Sequence, residues 1–287
     1  MVTDSSSDIP PDIVDELDIT VVPLYLNFGD ETLRDGVDIS IDEFYTRLTR
    51  DKVRPKTSTP SPGDYASIYN RLAVGADGIV SVHLSPKYSS ALHAATVAKD
   101  YFTEKCEIEV IDSKSVSMGC GLAVISGART ARAGASLNQV TGMVREILSR
   151  THIVGMISDI HYLLNGKRLA LPGAHILLGK MGTLLHLKLV GEIYEAGRVW
   201  GRGMYFSEEK ALARLERCVI DFPEVEEIAI LYAMKPGWAH SIAEHLGREF
   251  PSARTYVSRF SGATGVHGGP KAMAIAFTTS AVERRRE

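Results

Sequence analysis

The chain has 287 residues, of which 45 % are hydrophobic and 23 % charged, and a formal net charge of −3 at pH 7. That length suits one large domain or two ordinary ones, and the composition excludes disorder and collagen-like repeats. The near-neutral balance leaves no electrostatic footprint of a general nucleic-acid binder, and the one basic cluster, Arg284, Arg285 and Arg286, reads as a solvated tail.

In chain order, residues 19–28 (ITVVPLYLNF), 79–84 (IVSVHL) and 107–111 (EIEVI) predict strands, being short, rich in Val and Ile, and bounded by Gly, Asp or Ser. Residues 41–50, 64–72, 90–102 and 115–133 carry helical patterns. Strands alternating with helices of this length need crossovers and predict a largely parallel sheet. Residues 136–150 add an amphipathic helix, with Val140, Val144, Ile147 and Leu148 at helical spacing. The second half is less regular. It predicts a strand at 153–157, a short helix at 159–167 ending at Gly166, and then a Gly- and Leu-rich stretch. A charged helix follows at 207–219, and strands at 227–232 and 272–277 flank a helix at 238–250. The change of pattern places a boundary near residue 150, between an α/β domain over residues 1–150 and a mixed α+β domain over 151–287.

Three cysteines, Cys106, Cys120 and Cys218, form no CxxC pair and suit a reducing compartment. Residues 169–189 are the most apolar stretch, but Pro172, Lys180 and Lys188 interrupt it, so no membrane-spanning helix is expected. The start Met1-Val2-Thr3-Asp4 lacks the charged lead and apolar run of a signal peptide, and a cytoplasmic location is expected.

No GxSxG elbow, HExxH, GxxxxGK[ST] loop or complete GxGxxG occurs. His240 and His245, five residues apart, fall off a common helix face, and no metal site is expected. Hydroxyl-rich loops instead recur where strands hand over to helices, at residues 4–8 (DSSSD), 57–64 (TSTPSPGD), 85–90 (SPKYSS) and 112–115 (DSKS). Taken singly, each reads as helix capping: Ser61, Pro62 and Asp64 form a capping-box pattern, and Ser89 or Ser90 can cap the next helix. Taken together, such loops gather at the carboxyl ends of parallel strands, where hydroxyls beside helix amides make an anion site without fixed positive charge.

The motifs sharpen this reading. Residues 2–8 (VTDSSSD), 57–63 (TSTPSPG), 81–89 (SVHLSPKYS) and 110–119 (VIDSKSVSMG) resemble, in order, the VTDSTSD, TSQPSPG, SIHISSKLS and VIDSKSVSMG segments of the DegV family of bacterial fatty-acid-binding proteins. Residues 185–188 (LHLK) and 265–270 (GVHGGP) stand where LNIKP and GTHVGPG are expected. The resemblance implies a two-domain α/β fold, with a mainly parallel-sheet N-terminal domain, a mixed C-terminal domain and an acyl tunnel between them. It implies that a threonine and a serine, here Thr57 and Ser89, hold a fatty acid carboxylate, with Ser58, Ser90 and His267 as supporting candidates. It further implies a carrier without catalytic residues, cofactor or metal, which presents the acid to a separate ATP-dependent fatty acid kinase. Two other readings stay open: a small-molecule transferase using His267, and a lipid-sensing module without a kinase.

The sequence departs from the family pattern at several points. Ser90 and Ala91 replace glycine and threonine, which predicts an altered carboxyl pocket. Thr59 replaces the glutamine of TSQP, and Lys271, in place of glycine, is expected to face solvent. Residues 198–205 replace an arginine-rich segment, which puts the kinase-facing surface in question around Arg202. With so short a lead before the TDS motif, most of the first strand is expected to be missing, with a loss of stability.

Overall fold

The computed structural model describes residues 1–51, 53–102, 106–159, 162, 187–194 and 198–280. In the first half the elements are β1 (Val2–Asp4), α1 (Pro11–Glu16), β2 (Thr20–Val22), β3 (Tyr25–Phe28), β4 (Glu31–Arg34), α2 (Ile41–Arg50), β5 (Lys56–Ser58), α3 (Pro62–Ala73), β6 (Gly78–His83), α4 (Ala91–Ala98), β7 (Glu107–Asp112), α5 (Met118–Arg132) and α6 (Leu137–Ser149). The second half adds β8 (Thr151–Ile157), β9 (Lys188–Tyr194), β10 (Arg198–Tyr205), α7 (Glu208–Ile220), β11 (Val225–Tyr232), α8 (Pro236–Glu249), β12 (Arg254–Arg259), α9 (Gly262–Gly268) and β13 (Met273–Thr279). The helix expected at 159–167 and the Gly- and Leu-rich stretch lie largely outside the described residues.

Three sheets form: a parallel one of order β2-β1-β6-β7, an antiparallel one of order β4-β3-β5, and a mixed one of order β10-β9-β8-β13-β11-β12. A short first strand is present and is paired on both edges. Val2, Thr3 and Asp4 pair with Thr20, Val21 and Val22 on one side, and Val2 pairs with Ser81 on the other. The run at 19–28 is not one strand either. Pro23 has no amide to give a ladder, and the chain leaves the parallel sheet there to start the antiparallel one. The N-terminal half therefore carries a second sheet that its Val- and Ile-rich runs do not announce. β4 (ETLR) and β5 (KTS) are polar and owe their extension to pairing with β3.

Helix α5 is buried over most of its length and joins the two large sheets. It shares one core with Val80, Val82 and Ile111 of the parallel sheet and with Ile153, Leu231, Ala274 and Ala276 of the mixed one. Its start presses against the turn after β1: a Cβ on Gly121 would stand 2.8 Å from the carbonyl oxygen of Ser7. On the far face of the mixed sheet, Val154, Met156 and Val190 pack with Leu215 of α7 and Ile242 of α8.

The capping box read from the sequence is present. The Ser61 amide donates to Asp64 Oδ2 at 2.8 Å, the Asp64 amide donates to Ser61 Oγ at 3.2 Å, and Pro62 occupies the first turn. Ser61→Ala is expected to cost about 1 kcal/mol, read as a lower urea midpoint at unchanged slope. An unchanged midpoint would show that packing alone holds the start of α3.

Candidate functional site

A cavity of about 390 Å³ opens between the loops of the N-terminal half and the mixed sheet, a size in the range of small-molecule sites. Its floor is one face of the sheet, with Ile153, Gly155 and Ile157 of β8, Leu189, Gly191 and Ile193 of β9, and Ala274 of β13. Side chains alternate along strands, so these residues share a face while Val154, Met156 and Val190 pack in the core on the other, Met156 bordering the cavity as well. Leu84, Val116 and Phe260 border the cavity from other elements, and Thr57, Thr59, Ser89 and His267 make a polar end. No Asp, Glu, Lys or Arg borders it among the described residues.

Three of the four hydroxyl-rich loops follow β1, β6 and β7, at the carboxyl ends of neighbouring parallel strands, as expected. The fourth leads from β5 into α3. Buried carboxyl groups fix this arrangement. Asp4 Oδ2 lies 2.7 Å from His83 Nδ1, His83 Nε2 lies 2.8 Å from Ser81 Oγ, and Tyr69 donates to Ser81 at 2.9 Å. Asp4 also accepts from the Ser6 amide at 3.1 Å and from the Ser6 hydroxyl. A proton on Nδ1 of His83 satisfies every member of this chain. The order Asp–His–Ser has the connectivity of a hydrolase triad, but Ser81 and His83 are completely buried and no substrate reaches them. The network ties β1 to β6.

Asp8 and Asp35 hold the other side. Asp8 accepts from Ser117 at 2.5 Å, from Thr264 at 2.7 Å and from the Ser261 amide at 2.8 Å. Burial nonetheless pushes its carboxyl up to about 7. Asp35 accepts from the amides of Gly262 and Ala263 at 3.0 and 3.1 Å, and burial raises its carboxyl too. Those amides open α9 (GATGVHG), a sequence of weak helix propensity. Acidic groups at its start satisfy donors that a helix leaves unpaired, and its other end carries His267 into the cavity wall.

Thr57 and Ser89 both reach the polar end. Thr57 Oγ1 stands 3.2 Å from His267 Nε2, and Ser89 Oγ stands 3.2 Å from Thr59 Oγ1. Ser89 Oγ also accepts from the Ala91 amide at 3.1 Å, so one of its lone pairs serves the start of α4 while its O–H remains a donor. Ser58 borders the cavity as well, but its Oγ accepts from Asn27 Nδ2 at 3.0 Å, on the face of β5 opposite Thr57. Ser90 also borders the cavity, exposed and without a side-chain cap. Lys271 is turned away, paired with Glu208 at 2.7 Å. Arg202 pairs with Glu192 at 2.5 Å. His240 and His245 lie on α8, bonded to Pro236 O and Glu216 respectively, and among the described residues no three His, Cys, Asp or Glu gather as a metal site would require.

The reading of motifs missed Ser6, Thr59, Ser117 and Thr264 as cavity residues. Their partners sort them. Ser6, Ser117 and Thr264 are engaged by the buried carboxyl groups of Asp4 and Asp8. Thr57, Thr59 and Ser89 are paired with His267 or with each other, groups that can turn to a ligand. The donors open to an anion therefore cluster at one end of an otherwise apolar space.

Comparison with known proteins bears on the family and the fold. Residues 1–280 match the family described as uncharacterised protein, DegV family. The chain is 31 % identical over 282 residues to a DegV domain-containing protein of Caldanaerobacter subterraneus subsp. tengcongensis, covering 96 % of this chain and 97 % of that one. A fatty-acid-binding DegV family protein of Thermus thermophilus has the same fold, with TM-score 0.85 and 27 % identity over 97 % of this chain and 98 % of that one. A stearic acid-binding protein of Eubacterium ventriosum, 23 % identical, shares the fold at TM-score 0.86 over 97 % of each chain.

Proposed function

Because this chain belongs to the DegV family, we propose that its cavity holds a long-chain fatty acid, with the carboxylate at Thr57 and Ser89. The observation that carries this reading is the distribution of polarity: an apolar sheet face free of charged side chains, ending in hydroxyls that no buried carboxyl group engages. The Thermus thermophilus protein, whose fold is shared over nearly the whole chain, supports it.

The energetics follow from the ligand. Each methylene taken from water contributes about 0.8 kcal/mol, so the acyl chain supplies the affinity and the polar end has only to orient the carboxylate. Thr57, Thr59, Ser89 and His267 do this, and among the described residues no lysine or arginine borders the cavity to hold the anion in a tight ion pair. The carboxylate then stays accessible to an incoming phosphoryl group. The chain acts as a carrier rather than an enzyme, and a separate kinase supplies the nucleotide, metal and cationic groups that phosphoryl transfer requires. Residues 1–150 supply the carboxylate loops and residues 151–287 the floor, which is the two-domain division proposed here. Among the described residues no helix is long and apolar enough to cross a membrane, and a cytoplasmic location is part of the proposal.

Mass spectrometry of lipid extracted under denaturing conditions from freshly purified protein tests the reading. One long-chain fatty acid per chain is expected. Folded protein that carries no lipid and takes up none when offered would sink it. For the partner, the acid-loaded chain should retain an ATP-binding kinase from a bacterial lysate; failure there leaves a binding protein of another use.

A further inference from the structure

We propose that a cross-strand row of small residues, Ala274, Gly155, Gly191 and Gly201, is a furrow that carries the acyl chain across the mixed sheet and sets the chain length accepted. The inference rests on the fatty-acid reading and names the residues that measure the ligand. Register places the four in one line, since Ala274 pairs with Gly155, Gly155 with Gly191, and Gly191 with Gly201. Branched side chains stand on either side on the same face. Ile153, Ile193 and Val199 form one ridge, also in register, and Ile157 and Leu189 form the other. All five, with Ala274, Gly155 and Gly191, border the cavity, so the furrow is a wall of the binding space rather than a site by itself.

Among the described residues nothing demands glycine at these places. Gly155, Gly191 and Gly201 are absent from the residues of positive φ. A Cβ on Gly155 would meet its nearest neighbour at 3.5 Å, an ordinary contact, and one on Gly201 would meet nothing within 4 Å. On Gly191 it would stand 3.3 Å from Val199 Cγ1, the end of a side chain that can give. Glycine weakens a strand, and inside one it marks a bulge or close approach by a ligand or another backbone. Gly201 flanks the register shift of β10 and continues the row beyond the cavity, whereas the space above Ala274, Gly155 and Gly191 is the cavity.

The direction of the chain follows from α9. His267 lies at the polar end, and β13 begins only a few residues later, so the head group lies on the β13 side and the tail runs towards β10. Strands are spaced about 4.8 Å apart, so β13 to β10 spans about 14 Å. At about 1.25 Å per carbon, from the ~1.5 Å bond and its zigzag, that is about eleven methylenes.

Valine suits a strand and would fill the furrow locally. The test measures binding of decanoate, laurate, myristate, palmitate and stearate to delipidated full-length protein, parent and variants. Gly191→Val is expected to weaken palmitate and stearate at least about tenfold, the loss of two or three buried methylenes, and to leave decanoate within about twofold. Gly155→Val, only one strand from β13 and about four methylenes along the furrow, should extend the loss to the shorter acids. Equal weakening of all five acids by Gly191→Val, or no weakening in folded variants, overturns the furrow. A folded parent that binds none of them overturns the fatty-acid reading itself. If a valine variant does not fold, Gly155→Ala and Gly191→Ala should show the same ordered effect at smaller size, and its absence from them counts equally against the furrow.

Discussion

Thr57→Ala combined with Ser89→Ala is expected to lower affinity for a long-chain fatty acid by about a hundredfold or more while the chain stays folded. Each hydroxyl would donate to a carboxylate, and such a bond is worth about 1.5–3 kcal/mol. Two of them removed give about 3–6 kcal/mol, which is about two to four decades in dissociation constant. The structural cost is smaller. Thr57 loses a contact with His267, and the Ala91 amide loses its bond to Ser89, a capping loss of about 1 kcal/mol. Binding and melting should thus separate. Ser90→Ala provides the contrast: Ser90 borders the cavity but is exposed and makes no side-chain cap, so its loss should leave melting unchanged and weaken binding far less than the double variant. Isothermal titration with palmitate, beside thermal melts of the same samples, decides the matter. A drop of less than threefold in the double variant would move the carboxylate elsewhere in the cavity. The acyl chain should still bind in the double variant, with the weak affinity expected of a neutral methyl ester.

Much of this site could be read from the sequence, because its polar end is built from contiguous loops. The hydroxyl runs at residues 57–64 and 85–90 each lead into a helix, so local pattern finds them. Local pattern does not reveal which hydroxyls are committed. Ser117 and Thr264 look no different from Thr57 and Ser89 in one dimension, and only Asp8, more than 100 residues from either, separates them. The floor is hidden for a similar reason. Gly155, Gly191 and Ala274 come from three strands far apart in the chain, and each glycine read alone is a strand breaker. The same limit applies to the fold. Runs of Val and Ile announce β6, β7 and β11, whereas polar β4 and β5 exist by pairing with β3, and α9 exists because Asp35 and Ser261 satisfy its first amides. Where structure follows from burial along one segment, the sequence shows it. Where it follows from a partner distant in the chain, the sequence does not.

Asp8 gives the second large effect, on stability against pH. Its carboxyl rises from an ordinary 3.8 to about 7 in the folded chain because it is buried, and the donors Ser117, Thr264 and Ser261 only partly offset that burial. The folded state therefore holds the proton more tightly than the unfolded state. Stability from this group is full below about pH 4, falls as pH rises, and is lost above pH 7, a total of about 4 kcal/mol over about three pH units. Asp35, raised for the same reason, adds a slope of the same sign. Asp8→Asn keeps the shape and removes the charge. Its amide can donate to Ser117 or Thr264 while its carbonyl accepts from the Ser261 amide. Urea denaturation at a series of pH values should give the parent a falling curve from pH 4 to 8 and Asp8→Asn a flatter one, with the variant the more stable at pH 8. Parallel curves would mean that Asp8 stays ionised in the fold at no cost, its donors fully compensating for burial. The effect also bears on binding, since Ser117 and Thr264 border the cavity and both give their protons to Asp8 when it is charged. An ionised Asp8 keeps those hydroxyls from the ligand, which leaves Thr57 and Ser89 as its donors.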